Sequence, residues 1–275
     1  MTSIKYHAAI LYETTKFDHR KYAALAIFSM IISISVLSYS VLQGYVADNM
    51  KPIQSKILDT AFYIENLKSK KTSSVFSWHI MKDMVLNVNV INSDEYPDKF
   101  NLIKNAVLSE ETMRHGDSHS AKVYDSELLF MGWKGVLNHA KSLKDTKLNL
   151  PADFYFTEYG SSVNDIVIEL TSLTNGDGFL GKTRVLVDEK NSQILKAYIT
   201  IYDVDNLSNE EFSAIIRHEF GHALGLSHSD NVDDLMYFEI NTKFPFITEC
   251  DMEVLLELYD QKDARLIECY NGKTG

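Results

Sequence analysis

The feature that most constrains this chain is the stretch 218–228, in which three histidines recur at fixed intervals. His218 and His222 are four residues apart, so in a helix their side chains lie on one face, one turn apart. Gly225 follows, and glycine readily adopts the left-handed conformation that ends a helix sharply. The chain can then turn back and bring His228 toward the other two. The spacing therefore predicts that three imidazoles converge at the end of a helix.

Three converging imidazoles are typical of a zinc site. Three neutral nitrogens leave the fourth tetrahedral position open, which marks a catalytic zinc site rather than a closed structural one. Glu219 follows His218 directly, so on a helix it is turned about 100° away and lies beside the metal rather than on it. We predict His218, His222 and His228 as the zinc ligands. The alternative, histidines that are merely packed or solvated, requires three of them to match this spacing by accident.

The same residues carry a resemblance to a known family. The stretch 218–228 resembles the H-E-x-x-H-x-x-G-x-x-H signature of the metzincin metallopeptidases. Together with the following serine, its sequence, HEFGHALGLSHS, is most similar to the matrixin branch, the matrix metalloproteinases. Met236 follows His228 at the spacing of the family's methionine turn. The close resemblance covers roughly residues 212–237. It implies a zinc-dependent endopeptidase that acts on a protein or peptide substrate, with Glu219 as the catalytic general base.

The chain departs from the family in one respect. No PRCG-like motif precedes the catalytic region, and neither cysteine is placed to act as the latency cysteine of matrixin propeptides. The mechanism of any latency is therefore open. A second hypothesis is a catalytically silent, membrane-anchored zinc-binding interaction module. The intact Glu219 argues against it, because a site that only binds zinc has no need of that carboxylate. A third is a domain that zinc merely stabilises.

The charge distribution indicates which classes of partner the protein can bind. The formal net charge is −11, and residues 1–47 hold four Lys/Arg against two acids, so the excess of acid lies in the rest of the chain. An acidic body cannot neutralise phosphates, so we expect no nucleic-acid partner. The oligomeric state stays open.

Residues 22–47 contain no charged residue, and a helix needs about 20 apolar residues to cross a bilayer core. We predict that 1–21 form a cytoplasmic tail and 22–47 a transmembrane anchor. Basic residues on the N-terminal flank favour an inside N-terminus and an extracytoplasmic catalytic domain. A cleaved signal peptide followed by secretion is the alternative. The apolar run continues past the small-x-small site at 38–40, which favours the anchor.

Residues 48–74 are assigned to a stalk or linker and 75–275 to the catalytic domain. Pro52 and the apolar spacing that follows it predict a helix through Leu67. A polar break, KSKKTSS, follows this helix. The segment is much shorter than a matrixin propeptide, so autoinhibition by it is doubtful.

The expected fold class is α+β, a metzincin-type catalytic domain with a twisted mixed five-stranded sheet and about three main helices. Alternating or apolar runs predict strands at 84–91, 153–157, 165–170, 183–187 and 197–202. Helical patterns lie at 97–109, 125–144 and 249–259, and Ser208 and Glu211 form a capping box that opens the zinc helix. The resemblance implies that 197–202 is an edge strand on which substrate pairs; an ordinary strand is the alternative.

Two further features are open from the sequence alone. Calcium is a second candidate metal, since 175–178 could hold it through carbonyls and one carboxylate, although so few acids favour a simple turn. Cys250 and Cys269, the two cysteines of the chain, could form a disulfide worth about 3 kcal/mol if this part is exported. The alternative is two unrelated thiols.

Overall fold

The computed structural model describes residues 57–66, 75–114, 128–157, 164–229, 234–241 and 245–262. The strands are β1 (Ile57–Asn66), β2 (Ser77–Trp78), β3 (Val85–Ile91), β4 (Thr112–Arg114), β5 (Leu128–Phe130), β6 (Asp153–Phe156), β7 (Ile166–Leu170), β8 (Gly181–Asp188), β9 (Gln193–Ile201), β10 (Glu239–Asn241) and β11 (Ile247–Thr248). The helices are α1 (Pro97–Leu108), α2 (Trp133–Leu143), α3 (Asn209–Ala223) and α4 (Glu249–Tyr259). The expected mixture of sheet and helices is thus confirmed.

The larger sheet has eight strands in the order β10-β1-β8-β9-β7-β3-β6, with β2 pairing to β9 outside this path. Its centre is the predicted five-stranded mixed sheet: β6, β3, β7 and β9 run parallel, and β8 is antiparallel to β9. The three additional strands, β1, β2 and β10, extend it beyond the predicted five. A second sheet of three strands joins β11, β5 and β4.

The core lies between the larger sheet and the helices. Side chains of β8 alternate strictly between buried and half-buried, as expected where one face of a strand packs on a helix. The helix α3 lies against that face and contacts β8 and β9 as well as β1. Its buried apolar side chains, Phe212, Ala214, Ile215, Ile216, Phe220 and Ala223, fill the space above the sheet. This packing fixes the helix that carries His218 and His222.

The helix expected at 125–144 is shorter than the sequence pattern indicated. Residues 128–130 form β5, which pairs with β4 and β11, and α2 begins only at Trp133. Gly132 lies against the end of α1, where an added Cβ would be 2.8 Å from the carbonyl oxygen of Asn105. Strand pairing and this close approach outweigh the local helical periodicity. The other predicted helices, at 97–109 and 249–259, are confirmed.

The predicted helix through Leu67 is wrong. Residues 57–66 form β1, which pairs in parallel with β8 and in antiparallel with β10. Isoleucine, threonine, phenylalanine and tyrosine are abundant in this stretch, and they favour strands where a partner edge is available. The segment that we assigned to a linker therefore contributes a strand to the larger sheet.

The prediction that 197–202 is an edge strand is also wrong. β9 lies inside the sheet, with β8 on one side and β7 on the other. Residues Ala197 to Ile201 pair on both sides, so this stretch leaves no open edge for a substrate strand. The strand next to the zinc helix in the sequence is therefore an internal one.

The predicted anchor, residues 22–47, and the predicted tail, residues 1–21, lie outside the described residues. Within the part of the chain that the structure describes, no helix combines the length and apolarity that crossing a membrane needs.

Candidate metal centre

The helix α3 begins and ends as the sequence predicts. The Ser208 hydroxyl accepts a hydrogen bond from the Glu211 backbone N–H at 3.2 Å, and the Glu211 carboxylate accepts one from the Ser208 N–H at 2.9 Å. This reciprocal cap satisfies two of the backbone donors that a helix start leaves open. At the other end Gly225 has φ +107°, and an added Cβ there would collide with the Phe76 carbonyl oxygen. Glycine is thus required where the chain turns toward His228.

Three aromatic side chains hold α3 by its carbonyl oxygens. The indole N–H of Trp133 donates to Arg217 O at 2.8 Å, and that of Trp78 donates to Ala223 O at 2.8 Å. The Tyr259 hydroxyl donates to Leu224 O at 3.3 Å. The last two carbonyls belong to the helix end, where intrahelical partners are missing. These bonds fix the position of the helix at the level of the histidines.

The structure brings the three predicted ligands together. The Nε2 atoms of His218 and His222 are 2.9 Å apart, and His228 lies close to both, with ring centroids 5.4 Å from His218 and 4.7 Å from His222. One ligand atom from each residue fits within 4.8 Å of the others. His218 and His222 are fully buried, while His228 is exposed. Convergence on one point, open at the His228 side, is thus confirmed.

The hydrogen bonds of the buried imidazoles suit metal binding. The Nδ1 of His218 is 2.6 Å from the Leu235 carbonyl oxygen, and that of His222 is 2.8 Å from the Leu226 carbonyl oxygen. A carbonyl only accepts, so each Nδ1 carries the proton and each Nε2 presents a lone pair. Burial lowers the pKa of His218 to about 3 and that of His222 well below its ordinary value. Partial burial also lowers the pKa of His228. Neutral imidazoles are the ligand form at neutral pH.

This donor set fits zinc. Zinc binds imidazole nitrogens at about 2.0–2.1 Å in tetrahedral geometry, which places ligand atoms roughly 3.4 Å apart. The separation of 2.9 Å between the Nε2 atoms of His218 and His222 needs only a small outward shift. Two of the three rings are already oriented by backbone carbonyls, which is the usual support of zinc-binding histidines.

Glu219 lies on the sheet side of the site. Its Oε2 accepts a hydrogen bond of 2.5 Å from the Thr183 hydroxyl, which is also 3.0 Å from the Glu219 carbonyl oxygen. Its Oε1 is buried without a hydrogen-bond partner among the described residues. Burial raises the pKa of Glu219 to about 8, and the Thr183 hydrogen bond opposes this rise. A divalent cation in the triad would lower this pKa, because a nearby positive charge favours the ionised carboxylate.

Met236 lies beneath the site, as the methionine turn predicts. A Cβ added to Gly221 would be 2.5 Å from the Met236 sulfur and 2.9 Å from the Trp133 ring. Only the absence of a side chain at Gly221 lets the turn and α2 pack this closely on the helix. The turn itself is held by the Asp234 carboxylate, which accepts a hydrogen bond of 2.8 Å from the Met236 N–H.

Asp234 also meets a second buried carboxyl, that of Asp251 in the first turn of α4. Both side chains are buried, and the two carboxyl groups are hydrogen-bonded to each other, which requires a shared proton. Burial, with the charge of Asp234, raises the pKa of Asp251 well above its ordinary value. The pair ties the methionine turn to α4 in its protonated state.

This pair predicts a pH-dependent stability. An acid whose pKa is raised by folding contributes stability that is complete below its unfolded pKa, about 3.9, and that is lost as pH rises through the folded pKa. Asp234→Asn removes the neighbouring negative charge and keeps an acceptor for the Met236 N–H. We expect the melting temperature of this variant to fall less between pH 5 and pH 8 than that of the wild type. Each 1 kcal/mol of difference in the free energy of unfolding corresponds to about 2–4 °C. Thermal unfolding of the zinc-loaded protein measures this.

The matched control is Asp177→Asn, which changes an exposed aspartate in a turn. Its melting temperature should follow the wild type at both pH values. Parallel pH profiles for the wild type and Asp234→Asn would contradict a shared proton.

The structure also describes residues of the possible calcium site and of the possible disulfide that the sequence alone does not decide. Residues 175–178 form a turn, with the Gly178 N–H donating to the Asn175 carbonyl at 3.0 Å. Among the described residues, the group of side chains placed to hold a metal is the histidine triad, so calcium is not shown. Cys250 is disulfide-bonded, whereas Cys269 lies outside the described residues.

Two residues near the site carry no motif signal. Thr183 is one of several threonines in strands, and only the pairing of β8 beside α3 shows its contact with Glu219. Arg217 is buried next to His218, where its Nε donates to Met131 O and its Nη1 to Pro245 O. Its guanidinium thereby ties the chain before α2 and the chain before β11 to the zinc helix. The one sequence signal for Arg217 is the presence of an arginine within the otherwise apolar packing face of α3.

The match of the sequence to a known family agrees with this geometry. Residues 118–260, more than half of the chain, match the model of the matrixin peptidases. The chain is 35% identical over 75 residues to the Probable matrix metalloproteinase 095L of Invertebrate iridescent virus 3, which is 27% of this chain and 20% of that protein. The crystal structure of myroilysin aligns with 61% of this chain and 52% of its own, at 16% identity and a TM-score of 0.28. The chain thus spans about a fifth of the viral relative and about half of myroilysin. On the match of residues 118–260, the chain belongs to the matrixin family.

Proposed function

We propose that this chain is a zinc-dependent endopeptidase, with His218, His222 and His228 as ligands and Glu219 as general base. One observation carries the proposal: neutral imidazoles converge beside a buried carboxylate whose Oε1 has no partner among the described residues. A structural zinc site has no use for such an oxygen. A buried, unpaired carboxylate oxygen is costly, and it is retained where a ligand or reacting group satisfies it.

The chemistry divides between the metal and the chain. Zinc, when bound, supplies a Lewis acid that polarises the scissile carbonyl and makes water a better nucleophile. Glu219 takes a proton from the attacking water and passes it to the nitrogen of the breaking C–N bond. Thr183 holds the carboxylate through Oε2, and Oε1 has no hydrogen-bond partner among the described residues. The Leu235 and Leu226 carbonyls keep the imidazoles in the ligand orientation.

The test is hydrolysis of a mixed quenched-fluorescent peptide library. We expect cleavage that a chelator abolishes and that one equivalent of zinc restores. The full chain is assayed in its zinc-loaded form. A protein that binds one zinc per chain and hydrolyses nothing would instead support the silent zinc-binding module.

Thr183 is a positioning residue for the general base, and it makes a separate prediction. Thr183→Val keeps the shape of the side chain and removes its only hydroxyl proton. Hydrogen bonds to charged groups contribute about 1.5–3 kcal/mol, so we expect kcat to fall roughly 10- to 100-fold with KM little changed. Steady-state kinetics on the zinc-loaded protein, together with zinc content and melting temperature, measures this.

The matched variant Thr183→Ser restores the hydroxyl without the methyl group and should recover most of kcat. A serine variant as slow as the valine variant would mean that packing, rather than the hydrogen bond, accounts for the loss. An effect on KM alone would also contradict a role that acts through Glu219.

We also propose that the enzyme is held at a membrane by residues 22–47, with its catalytic domain extracytoplasmic; secretion after cleavage is the alternative. The uncharged length of this run and the basic flank before it support the anchor. Mass spectrometry of the mature N-terminus in membrane and soluble fractions tests it. A terminus beginning soon after residue 40 in the soluble fraction would favour secretion.

A further inference from the structure

We propose that a small pocket at the end of α2, together with the apolar side chains around it, docks the protein onto a phospholipid surface. The pocket takes the headgroup of a zwitterionic phospholipid, and the apolar side chains enter the boundary of the acyl chains. None of the three zinc ligands lines this pocket, so the inference goes beyond the proposed peptidase function. It applies whether residues 22–47 are retained as an anchor or cleaved.

The pocket lies between the turn that precedes β3 and the end of α2, and its volume is about 190 Å³. The turn is closed by the Met84 N–H, which donates to the Met81 carbonyl oxygen at 3.2 Å. A water molecule occupies about 30 Å³ in the liquid, so the pocket has room for a small polar group rather than for a drug-sized molecule. Its charged lining residues are Lys82 and Asp83 of the turn and Lys141, Lys144 and Asp145 at the end of α2.

Two lysines of the lining are available to an anionic group. The Lys141 ammonium donates to the Pro151 carbonyl oxygen at 2.6 Å and to that of Ala152 at 3.3 Å. These bonds fix the side chain at the wall of the pocket, and since an ammonium has three donors, one is left for a ligand. Lys82, on the turn, has no hydrogen-bond or ion-pair partner among the described residues. An anionic group in the pocket can therefore meet a cation from each wall.

Carboxylates in the same pocket argue against a simple anion. Asp83 and Asp145 also line it, and Asp145 has no hydrogen-bond or ion-pair partner within the part of the chain that the structure describes. The charge of Lys144 is balanced by Asp260, with which it forms an ion pair. The two carboxylates repel a lone phosphate, whereas a ligand that joins a phosphate to an ammonium satisfies both signs of charge. The choline and ethanolamine phospholipids carry such a headgroup.

Exposed apolar side chains surround the pocket. Seven large apolar side chains are exposed among the described residues, and four of them lie within three residues of one that lines the pocket: Met81, Val85, Leu143 and Tyr155. Met81 and Leu143 are 77% and 58% exposed, and they directly precede Lys82 and Lys144. Single exposed apolar residues are ordinary, but a group of them marks an interaction site. A small soluble ligand leaves these side chains in water, whereas a lipid surface takes up both the charged pocket and its apolar surroundings.

Val85 and Tyr155 extend this apolar surface onto the face of the sheet that points away from the helices. Val85 is the register partner of Asp153, and Tyr155 lies two residues further along β6, so both side chains are on one face. The neighbouring Phe154 is buried in the core on the opposite face. Tyr155 is 61% exposed, and tyrosine is enriched where proteins meet the boundary between lipid and water.

The experiment uses the full zinc-loaded chain with one added tryptophan, in the variants Met81→Trp and Leu143→Trp. Both native tryptophans, Trp78 and Trp133, are buried and give a constant background. Bromine on an acyl chain quenches a tryptophan that touches the lipid. We expect vesicles of brominated phosphatidylcholine to quench the added fluorescence of both variants by about half, relative to vesicles of the same lipid without bromine. No quenching in either variant would overturn the proposal.

The matched control is Leu173→Trp, since Leu173 is 71% exposed and lies elsewhere on the protein. Leu173 follows the carboxyl end of β7, whereas the pocket adjoins the amino ends of β3 and β6, which run parallel to β7. The added tryptophan of this variant should keep its fluorescence with brominated lipid. Equal quenching of the control and the two test variants would mean that the protein touches lipid without a preferred face, and this would also overturn the proposal.

Removal of the headgroup contacts gives a second measurement. The double variant Lys82→Ala/Asp145→Ala, in the Leu143→Trp background, changes two side chains that have no partner among the described residues. We expect quenching to fall by about half or more, whereas Lys190→Ala/Asp177→Ala, which changes an exposed pair elsewhere, should leave it unchanged. Soluble glycerophosphocholine should compete with the vesicles, and inorganic phosphate at the same concentration should not. Equal competition by phosphate would refute the headgroup assignment.

Quenching and hydrolysis separate this inference from the peptidase proposal. None of the substituted residues belongs to the metal centre, so zinc content and hydrolysis of soluble peptides should match the wild type in every variant. Quenching of the two test variants without hydrolysis in any form would refute the peptidase function and support the lipid contact. Hydrolysis without quenching would refute the lipid contact and leave the peptidase function standing.

Discussion

Replacing Glu219 by glutamine is expected to lower kcat for peptide hydrolysis by about 10²- to 10⁴-fold, the range that general-base catalysis supplies. An amide keeps the volume of the carboxylate, and its oxygen can still accept the Thr183 hydrogen bond, which is 2.5 Å long in the wild type. It cannot take a proton from water. Zinc binding and folding should be unchanged, because Glu219 is not among the three ligands. Steady-state kinetics of the zinc-loaded protein, with zinc content by atomic spectroscopy, measures the effect.

The matched control is Glu210→Gln, which changes an exposed glutamate in the first turn of the same helix. That variant loses a small favourable interaction with the helix dipole, worth about 0.3–1 kcal/mol in stability, and should retain its turnover. Near-wild-type turnover by Glu219→Gln would refute the assigned base. Loss of zinc from that variant would show instead that the carboxylate supports the metal site.

Replacing His222 by alanine is expected to abolish stoichiometric zinc binding, and with it all hydrolysis. Two imidazoles then remain. The Leu235 carbonyl orients His218, whereas His228 is exposed and has no orienting backbone carbonyl among the described residues. Zinc that binds the folded state stabilises it by RT ln(1 + [Zn]/Kd), about 4 kcal/mol at a thousandfold excess over Kd. The melting temperature of the variant should therefore no longer rise on addition of zinc. Titration calorimetry and thermal unfolding with and without zinc test this.

His139→Ala is the control for that experiment. His139 is half-buried on α2, beside the Phe130 ring at 5.6 Å between centroids, and takes no part in the triad. It should bind one zinc and show the same zinc-dependent rise in melting temperature as the wild type. Retention of one tightly bound zinc by His222→Ala would refute the assigned ligand set.

The metal centre could be predicted from the sequence because its geometry is local. His218 and His222 meet through helical spacing alone, and Gly225 and His228 follow within six residues of the second ligand. The capping box at Ser208 is equally local and is confirmed. Each of these relations is fixed by backbone geometry within about one or two turns.

The pairing partners of a strand are distant in the sequence, and the predictions that depended on strand pairing were wrong. Residues 57–66 fit both a helical and a strand pattern, and the deciding factor is an edge of β8 that lies more than a hundred residues away. The internal position of β9 likewise depends on β7 and β8, which no periodicity within β9 reveals. The contact of Thr183 with Glu219 follows from the same pairing and was missed for the same reason.

The aromatic bonds to the carbonyls of α3 have a consequence for biosynthesis. Trp78 and Trp133 precede the zinc helix in the sequence and Tyr259 follows it, so all three bonds can form only when the chain as far as Tyr259 has emerged from the ribosome. A growing polypeptide that already contains all three histidines still lacks its last anchor. The end of the zinc helix therefore reaches its final position only after the chain has been synthesised as far as Tyr259.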